Sequence, residues 1–442
     1  MNEHDSEIIL GLLTGLGYRR VDNLLDADLI IYNTCCVREN PERKIYGQLA
    51  MLRRLHQLRP DLLIGVGGCM AQKKDEYMRM AKEFPHVKII FGTHNLHRLP
   101  ELIQEAEITG KQVVEVWDEP GGVVEDLPVV RSSAIKAYVT IMYGCDEHCT
   151  YCIVPAVRGR ERSRQPERIL QEVQELAADG CQEVMLLGQN VNAYGRDLAE
   201  KTTFARLLQL LDENTGIKRL RFTSPHPRYF GDDVISIMAA GRAICEHVHL
   251  PAQAGSDRVL RRMGRRYSRA DYINLVTKMK QAIPDLAVTT DLIVGFPGET
   301  EEDFAETLSL VREVQFDGAF MFIYSPRDGT AATRLQETVP EEVKRERIHR
   351  LVEQQNTVSL AKNKELIGKR VTVLVDGAGK EPQTLAGRTR TNKLVVFPAE
   401  GRKIGQFVEV EITEAHTWSL SGRPLAVGAG EGAGSTADPR KF

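Results

Sequence analysis

The 442-residue sequence predicts an α/β protein: a partial parallel barrel of six βα units, a small parallel αβ domain ahead of it and a small β barrel behind it. Three patterns predict this order. Short apolar runs alternate with helical stretches over residues 1–105, six further apolar strands alternate with helices over 135–327, and beyond residue 366 the period shortens to strands with no helix between them. The first strand of the middle region runs directly into a loop carrying three cysteines.

With 42 % hydrophobic and 27 % charged residues the chain can bury substantial cores, and its length suits about two to four domains. The net charge of -3 means that any nucleic-acid binding must come from local basic patches. No run of 18 apolar residues exists, and the acidic start Met1-Asn-Glu-His-Asp-Ser-Glu lacks the basic and apolar regions of a signal peptide, so a cytoplasmic protein with no membrane span is expected. In that compartment, cysteines on loops read as metal ligands rather than disulfides. The tail 428–442, rich in Gly, Ala and Ser, is expected to be disordered.

In residues 1–105 the apolar runs fall at 8–13, 27–32, 62–66 and 87–91, with a charged helix at 39–59. Ligands of such sheets sit beyond the carboxyl ends of the strands. Cys35 follows one strand there and Cys69 the next, either as ligands or as two buried thiols; two thiols alone do not complete a cluster site. Cys36 reads as a small core residue. Because the chain opens on a helix that should follow a strand, a first strand is expected upstream of Met1. Residues 106–134, with Pro120, Gly121, Gly122 and Pro128, read as a linker.

The barrel region, 135–365 with its closing helix, has strands expected at 135–142, 183–188, 218–223, 247–250, 287–295 and 318–324. After the first comes Cys145-Asp-Glu-His-Cys149-Thr-Tyr-Cys152. Three thiolates at this spacing can hold three corners of a 4Fe-4S cube and leave the fourth iron open to a small molecule. Zinc is the alternative, but it wants a fourth ligand, and His148, beside Cys149 within the loop, is badly placed to be one. Polar or glycine-rich loops follow other strands: Gly188-Gln189-Asn190, Ser224-Pro-His226-Pro, Pro251-Ala-Gln253-Ala-Gly-Ser256, and Asp291 to Thr300. Any one of them could be a turn or a cap, and Glu299-Thr300 suits the start of a helix at 301–314; together they mark a site at the strand ends. Two arginine runs, Arg158, Arg160, Arg162, Arg164 and Arg258, Arg261, Arg262, Arg265, Arg266, are either solvated faces or phosphate contacts at its mouth.

A charged helix at 339–363 leads to a last domain at 366–427, with strands at 370–375, 384–389, 394–397, 407–412 and 417–422. Five strands in so short a span predict a small closed or nearly closed barrel, an architecture often used on RNA, with Arg388, Arg390, Asn392 and Lys393 as candidate contacts.

The cysteine loop with Tyr151 inside it, on the first strand of a partial barrel, resembles the radical S-adenosylmethionine (SAM) enzymes. Asn33-Thr-Cys35 and Gly67-Gly-Cys69 ahead of it, with a terminal barrel similar to the TRAM domain, extend the resemblance to the methylthiotransferases over nearly the whole chain. The segments 158–164, 187–195 and 291–300 are most similar to the branch acting on N6-isopentenyladenosine in tRNA, rather than to those acting on threonylcarbamoyl-adenosine or ribosomal protein S12. The resemblance implies methylthiolation of carbon 2 at nucleotide 37. One SAM would be split to a 5′-deoxyadenosyl radical at a 4Fe-4S cluster held by Cys145, Cys149 and Cys152, and a second would supply the methyl group. A second 4Fe-4S cluster is implied, with Cys35 and Cys69 matching two of its three ligands. The family's third ligand stands two residues ahead of the Met-Asn segment, so Met1 is expected to be an internal methionine or the gene to be shortened. By loop position Tyr151, Gln189, Gln253, Asp291 and Val294 are expected to cradle the cofactor, while Arg158, Arg160, Arg388 and Arg390 hold the tRNA anticodon stem-loop. No catalytic side chain beyond the cluster ligands is assigned. An electron donor such as flavodoxin or ferredoxin, and a monomer, complete the expectation. A non-catalytic RNA-binding protein resting on the last domain alone is the rival reading.

Overall fold

The computed structural model describes residues 1–36, 39–336 and 338–425; the tail 428–442 lies outside them. Two units are formed, Met1–Val358 and Ser359–Phe442.

The first unit opens with α1 (Asn2–Gly15), β1 (Leu29–Thr34), α2 (Glu39–Leu58), β2 (Leu63–Gly68), α3 (Lys74–Glu83), β3 (Ile89–Phe91), α4 (Leu99–Thr109) and β4 (Val113–Glu115). The four strands pair in parallel in the order β1-β2-β3-β4. Ile8, Ile9 and Leu12 of α1 and Leu99, Leu102 and Ile103 of α4 cover one face with Ile89 and Phe91. On the other, Ile45, Leu49 and Leu52 of α2 and Met80 of α3 pack on Ile64, Val66 and Ile90. Burial on both faces gives β2 its continuous apolar run. The expected linker 106–134 is therefore too long: its first residues end α4 and form β4. A three-residue strand with only Val113 buried carries too little periodicity to be read.

Next come β5 (Lys136–Thr140), β6 (Met142–Tyr143), α5 (Val154–Arg158), β7 (Arg162–Ser163), α6 (Pro166–Ala178), β8 (Glu183–Leu187), α7 (Phe204–Asn214), β9 (Arg219–Phe222), α8 (Asp232–Ala240), β10 (His247–His249), α9 (Asp257–Arg262), α10 (Arg269–Ala282), β11 (Ala287–Val294), α11 (Glu301–Val314), β12 (Gly318–Ile323) and α12 (Glu341–Lys364). Parallel sheets β5-β8-β9 and β10-β11-β12 make up the six-stranded partial barrel. They are joined where the segment ahead of β10 bridges Leu220 to Ile244. Val139, Val184, Leu186, Leu220, Val248, Val288 and Leu292 face the helices, which answer with Val173, Leu207, Leu211, Met238, Val276, Met279 and Leu310. Each barrel strand lies within about two residues of its expected range, because parallel strands buried beneath helices stand out as apolar runs. α11 starts where Glu299-Thr300 suggested, with Thr300 and Asp303 forming a reciprocal capping box.

The second unit is a closed five-stranded barrel of β13 (Arg370–Ala378), β14 (Thr384–Arg388), β15 (Leu394–Pro398), β16 (Phe407–Ala415) and β17 (Leu420–Pro424), in the order β13-β14-β15-β17-β16. Val373, Val375, Val395, Phe397, Val410, Ile412 and Leu420 fill it. The last strand begins at Leu420 rather than 417. Asn363 donates to the carbonyls of His416 and Thr417, and this holds those residues in the preceding turn.

Candidate active site at the barrel mouth

The cysteine loop leaves β5 through a short antiparallel pair, Met142 with Ser163 and Tyr143 with Arg162, which draws the loop's two ends together. Gly144 has φ +77°, and a Cβ there would lie 1.9 Å from the Arg160 carbonyl oxygen, so the turn requires glycine. Cys145 N–H donates to Gly159 O (3.1 Å) and Cys152 N–H to Cys149 O (3.0 Å). Thr150 fastens the loop's tip: its N–H and hydroxyl donate to Met263 O and Arg262 O, and its carbonyl accepts from Ala332 N–H.

Cys145, Cys149 and Cys152 are unpaired and half-buried. Burial pushes the Cys145 thiol up to about 12 and the Cys152 thiol up to about 11, against the pull of the Glu147 and Val154 backbone N–H groups aimed at their sulfurs. Arg265, itself buried, donates from Nη1 to Cys149 Sγ at 3.3 Å. Sulfurs with N–H and guanidinium donors turned toward them suit thiolates bound to iron, whose positive charge reverses the cost of burying them. Among the described residues, no three His, Cys, Asp or Glu side chains converge closely enough for a single metal ion.

The residues expected around this loop meet different fates. Gln189 Oε1 accepts from Gly144 N–H at 2.5 Å, so Gln189 holds the turn ahead of Cys145. Gln253 has φ +70° and joins the loop after β10 to β11, its N–H donating to Asp291 O and its carbonyl accepting from Ile293 N–H. Tyr151 packs edge-on against Phe296, with centroids 6.5 Å apart. Asp291 lies 3.3 Å from His249 Nε2. The Val294 side chain is fully buried in the core beneath the helices, which leaves only its backbone to face the strand-end loops. The parity of β11 decides this, since side chains of adjacent strand residues point to opposite faces.

Side chains from other loops join them. His226 exchanges two backbone bonds with the Asn192 side chain (2.9 and 2.8 Å), and its Nδ1 accepts from Arg228 N–H. Burial, followed by the Arg265 and Arg228 charges, lowers its pKa to about 3, so the ring is neutral. Glu147, within the cysteine loop, accepts from Tyr229 OH. Glu299 Oε2 accepts from Gly295 N–H (2.5 Å) and Arg347 Nη1 (2.9 Å), and burial lifts its carboxyl to about 7. The polar loops signalled these positions, but Asn192, Tyr229 and Arg347, which partner them, come from the loops after β8 and β9 and from α12.

Cys35 and Cys69 come together through the register of β1 and β2, in which Thr34 stands opposite Gly68. Cys69 N–H donates to Thr34 O at 3.0 Å. Gly68 has φ +91°, and a Cβ on it would lie 2.5 Å from Thr34 O. Cys36 is buried as expected and also hydrogen-bonds to Cys69; that bond, reinforced by Arg158, brings the buried Cys69 thiol down to about 6. Asn2 stands at the same strand ends, donating to Thr34 O (2.8 Å) with its Oδ1 4.0 Å from Cys69 Sγ.

Arg158 is not at the surface where RNA could meet it. It is 5 % exposed, donating from Nε to Cys69 Sγ (3.3 Å) and from Nη2 to Asp5 Oδ2 (2.5 Å). Arg164 is similarly buried, between Glu125 and Glu172. A run of arginines reads as a charged face, yet Arg158 and Arg164 turn inward while Arg160 and Arg162 keep some or all of their exposure. Arg160 stays at the surface, paired with Asp146 at 3.1 Å. In the second unit Arg388 donates to Asn392 O (3.0 Å), and Lys393 donates to Asn363 Oδ1 (2.9 Å). Arg390, on the turn between them, is half-exposed.

Three family models match the chain: the Radical SAM superfamily over residues 139–311, the Uncharacterized protein family UPF0004 over 1–92, and the TRAM domain over 364–425. Curated relatives named tRNA-2-methylthio-N(6)-dimethylallyladenosine synthase include those of Acetivibrio thermocellus (51 % identical, covering 96 % of this chain and 88 % of the relative), Bacillus cereus (53 %, 96 % and 83 %) and Desulforamulus reducens (51 %, 97 % and 94 %). Among solved structures, the radical S-adenosylmethionine methyltransferase TsrM from Kitasatospora setae, with cobalamin and a [4Fe-4S] cluster bound, shares the fold at TM-score 0.53 and 15 % identity, over 87 % of this chain and 77 % of that one.

Proposed function

The chain belongs to the radical SAM methylthiotransferase family, in the branch of the tRNA-2-methylthio-N(6)-dimethylallyladenosine synthases, and on that premise we propose how its residues divide the work of placing a methylthio group on carbon 2 of N6-isopentenyladenosine 37. The C2–H of adenine has no acidic proton for a side chain to remove, so the reaction calls for a radical. A 4Fe-4S cluster with SAM supplies that radical when bound. Cys145, Cys149 and Cys152 hold the cluster, Gln189 keeps the Gly144 turn in place, and Arg265 offsets charge at Cys149. The tethered cysteine loop, with its donors turned to the sulfurs, is the observation that carries this reading.

Cys35 and Cys69 belong to a second cluster, a role supported by their adjacency at the strand ends and by the depressed Cys69 thiol. The tRNA substrate is met through its anticodon stem-loop, by exposed Arg160 and by Arg388 and Arg390 of the terminal barrel. Such loops can splay out their bases for reading. The protein acts as a cytoplasmic monomer with a flavodoxin- or ferredoxin-type donor; among the described residues, no helix is long and apolar enough to cross a membrane.

The test is anaerobic reconstitution with iron and sulfide, followed by incubation with SAM, reductant and tRNA carrying N6-isopentenyladenosine 37. Mass spectrometry of the nucleosides is expected to find the 2-methylthio product. Product on a threonylcarbamoyl-adenosine tRNA or on ribosomal protein S12 instead would reassign the branch, and absence of 5′-deoxyadenosine from every reaction would remove the enzymatic reading.

A further inference from the structure

The last three barrel strands carry a polar group on the face turned away from the helices. In the register of β10, β11 and β12, His249 stands opposite Thr289 and Asp291 opposite Phe320. Residues paired in this way point to the same side of a sheet, so these four share one face. Val288, Leu292 and Val294, of opposite parity, lie in the helix-covered core. Ile293, two residues beyond Asp291 on the same face, packs in the cluster that includes Tyr151 of the cysteine loop. Asp291 therefore sits about 7 Å further along the strand from that loop, inside the barrel.

The group is built and still open. His249 Nε2 lies 3.3 Å from Asp291 Oδ1, and its Nδ1 lies 3.0 Å from Thr289 Oγ1. Thr289 Oγ1 is also 3.2 Å from His247 Nε2, which locks the column. Phe320 meets the His249 ring edge-on, with centroids 5.6 Å apart, yet remains 59 % exposed. The Asp291 side chain keeps 28 % exposure. A carboxylate oriented by an imidazole, beside an uncovered aromatic ring, asks for a ligand that offers one N–H next to an apolar group. Isopentenyladenosine offers that pair at N6: one hydrogen and one branched alkyl chain. Unmodified adenine lacks the alkyl chain, and a threonylcarbamoyl group would bring its own carboxylate against Asp291.

Resting on the function proposed above, we propose that Asp291, oriented by His249, accepts the N6–H of the target adenine while Phe320 carries its isopentenyl group, so that this face selects the prenylated base. Asp291 is then a substrate contact rather than part of the cofactor cradle.

The experiment measures binding and kcat/KM of the reconstituted full chain for anticodon stem-loops bearing either N6-isopentenyladenosine or adenosine at position 37, in the native protein, D291N and F320A. F320A is expected to weaken the prenylated stem-loop about tenfold and leave the unmodified one unchanged. D291N is expected to weaken the prenylated stem-loop by about tenfold or more, because it removes a charged acceptor. Phe320 is largely exposed, so F320A keeps the fold and the test holds even if D291N does not. Unchanged selectivity in F320A, or a raised KM for SAM with unaltered stem-loop selectivity in D291N, would overturn the assignment. Failure of the native enzyme to methylthiolate any tRNA would instead strike the function on which the assignment rests.

Discussion

The two cysteine sites of this protein are assembled by opposite means. Cys145, Cys149 and Cys152 lie on one loop, whose ends are drawn together by the Met142–Tyr143 and Arg162–Ser163 pair and whose interior bonds to itself. Cys35 and Cys69 belong to different βα units and meet only because β1 and β2 pair with Thr34 opposite Gly68. Each site has a left-handed glycine immediately ahead of a cysteine, Gly144 before Cys145 and Gly68 before Cys69. The sites are also linked, since Arg158 at the end of α5, six residues past Cys152, reaches back to Cys69 and Asp5. A site written in one loop can be read from spacing; a site written in strand register depends on everything that fixes the register.

The largest effects separate the two sites outright. Cys152→Ser is expected to abolish 5′-deoxyadenosine formation and the iron held by the loop, whereas Cys69→Ser is expected to keep deoxyadenosine formation and lose methylthio product; iron analysis and chromatography of both variants read the contrast, and equal loss of deoxyadenosine would merge the sites.

Next comes the link between them. Arg158→Met leaves Asp5 buried without its partner and is expected to cost about 3–5 kcal/mol in urea unfolding, with Arg158→Lys recovering part of the loss. A variant as stable as the native chain would show that β1 and β2 alone hold the N-terminal site.

The two glycines sharpen the comparison further. Gly144→Ala and Gly68→Ala each force a left-handed residue against a carbonyl oxygen and are expected to cost about 1–3 kcal/mol. The greater loss should fall at Gly144, where the added carbon would come within 1.9 Å rather than 2.5 Å. Urea midpoints of the two variants decide the order.

The smallest effect concerns Glu7, which ties α1 to the start of the barrel domain through Ser132 N–H (2.9 Å) and its hydroxyl (2.7 Å). Burial works to raise its carboxyl, but the bonds from His4 and Ser132 and the charge of Arg131 outweigh it and hold the pKa at about 2, against an ordinary 4.5. With the folded pKa below the unfolded one, its stabilisation is full above pH 4.5 and fades as pH falls toward 2. Glu7→Gln is expected to cost about 1–2 kcal/mol at neutral pH and to flatten the acid limb of a thermal-melt series; an unchanged limb would assign it to other carboxylates.

Much of the fold was legible. The barrel strands lie close to their expected ranges because each is an apolar run bounded by polar loops, and α11 announced itself through Glu299-Thr300. β4 escaped because a single buried Val113 makes no pattern, and β17 was placed too early because Asn363, distant in sequence, holds His416 and Thr417 in a turn. In the site, the spacing of the cysteine loop was enough to single out Cys145, Cys149 and Cys152 as candidate ligands. The burial of Arg158 and of Val294 was not legible: a charge run does not state which of its members turn inward, and a strand's sequence does not state which parity faces the lumen.

By itself the sequence determined the order of the three architectures, the loop able to hold a cluster and the family, because periodicity and ligand spacing are local properties of the chain. Only the tertiary structure decided that Cys35 and Cys69 are neighbours, that Arg158 serves Cys69 rather than the surface, and that His249, Asp291 and Phe320 share a face. Those are relations across strands, and they follow from register and side-chain parity, which arise only when one segment pairs with another.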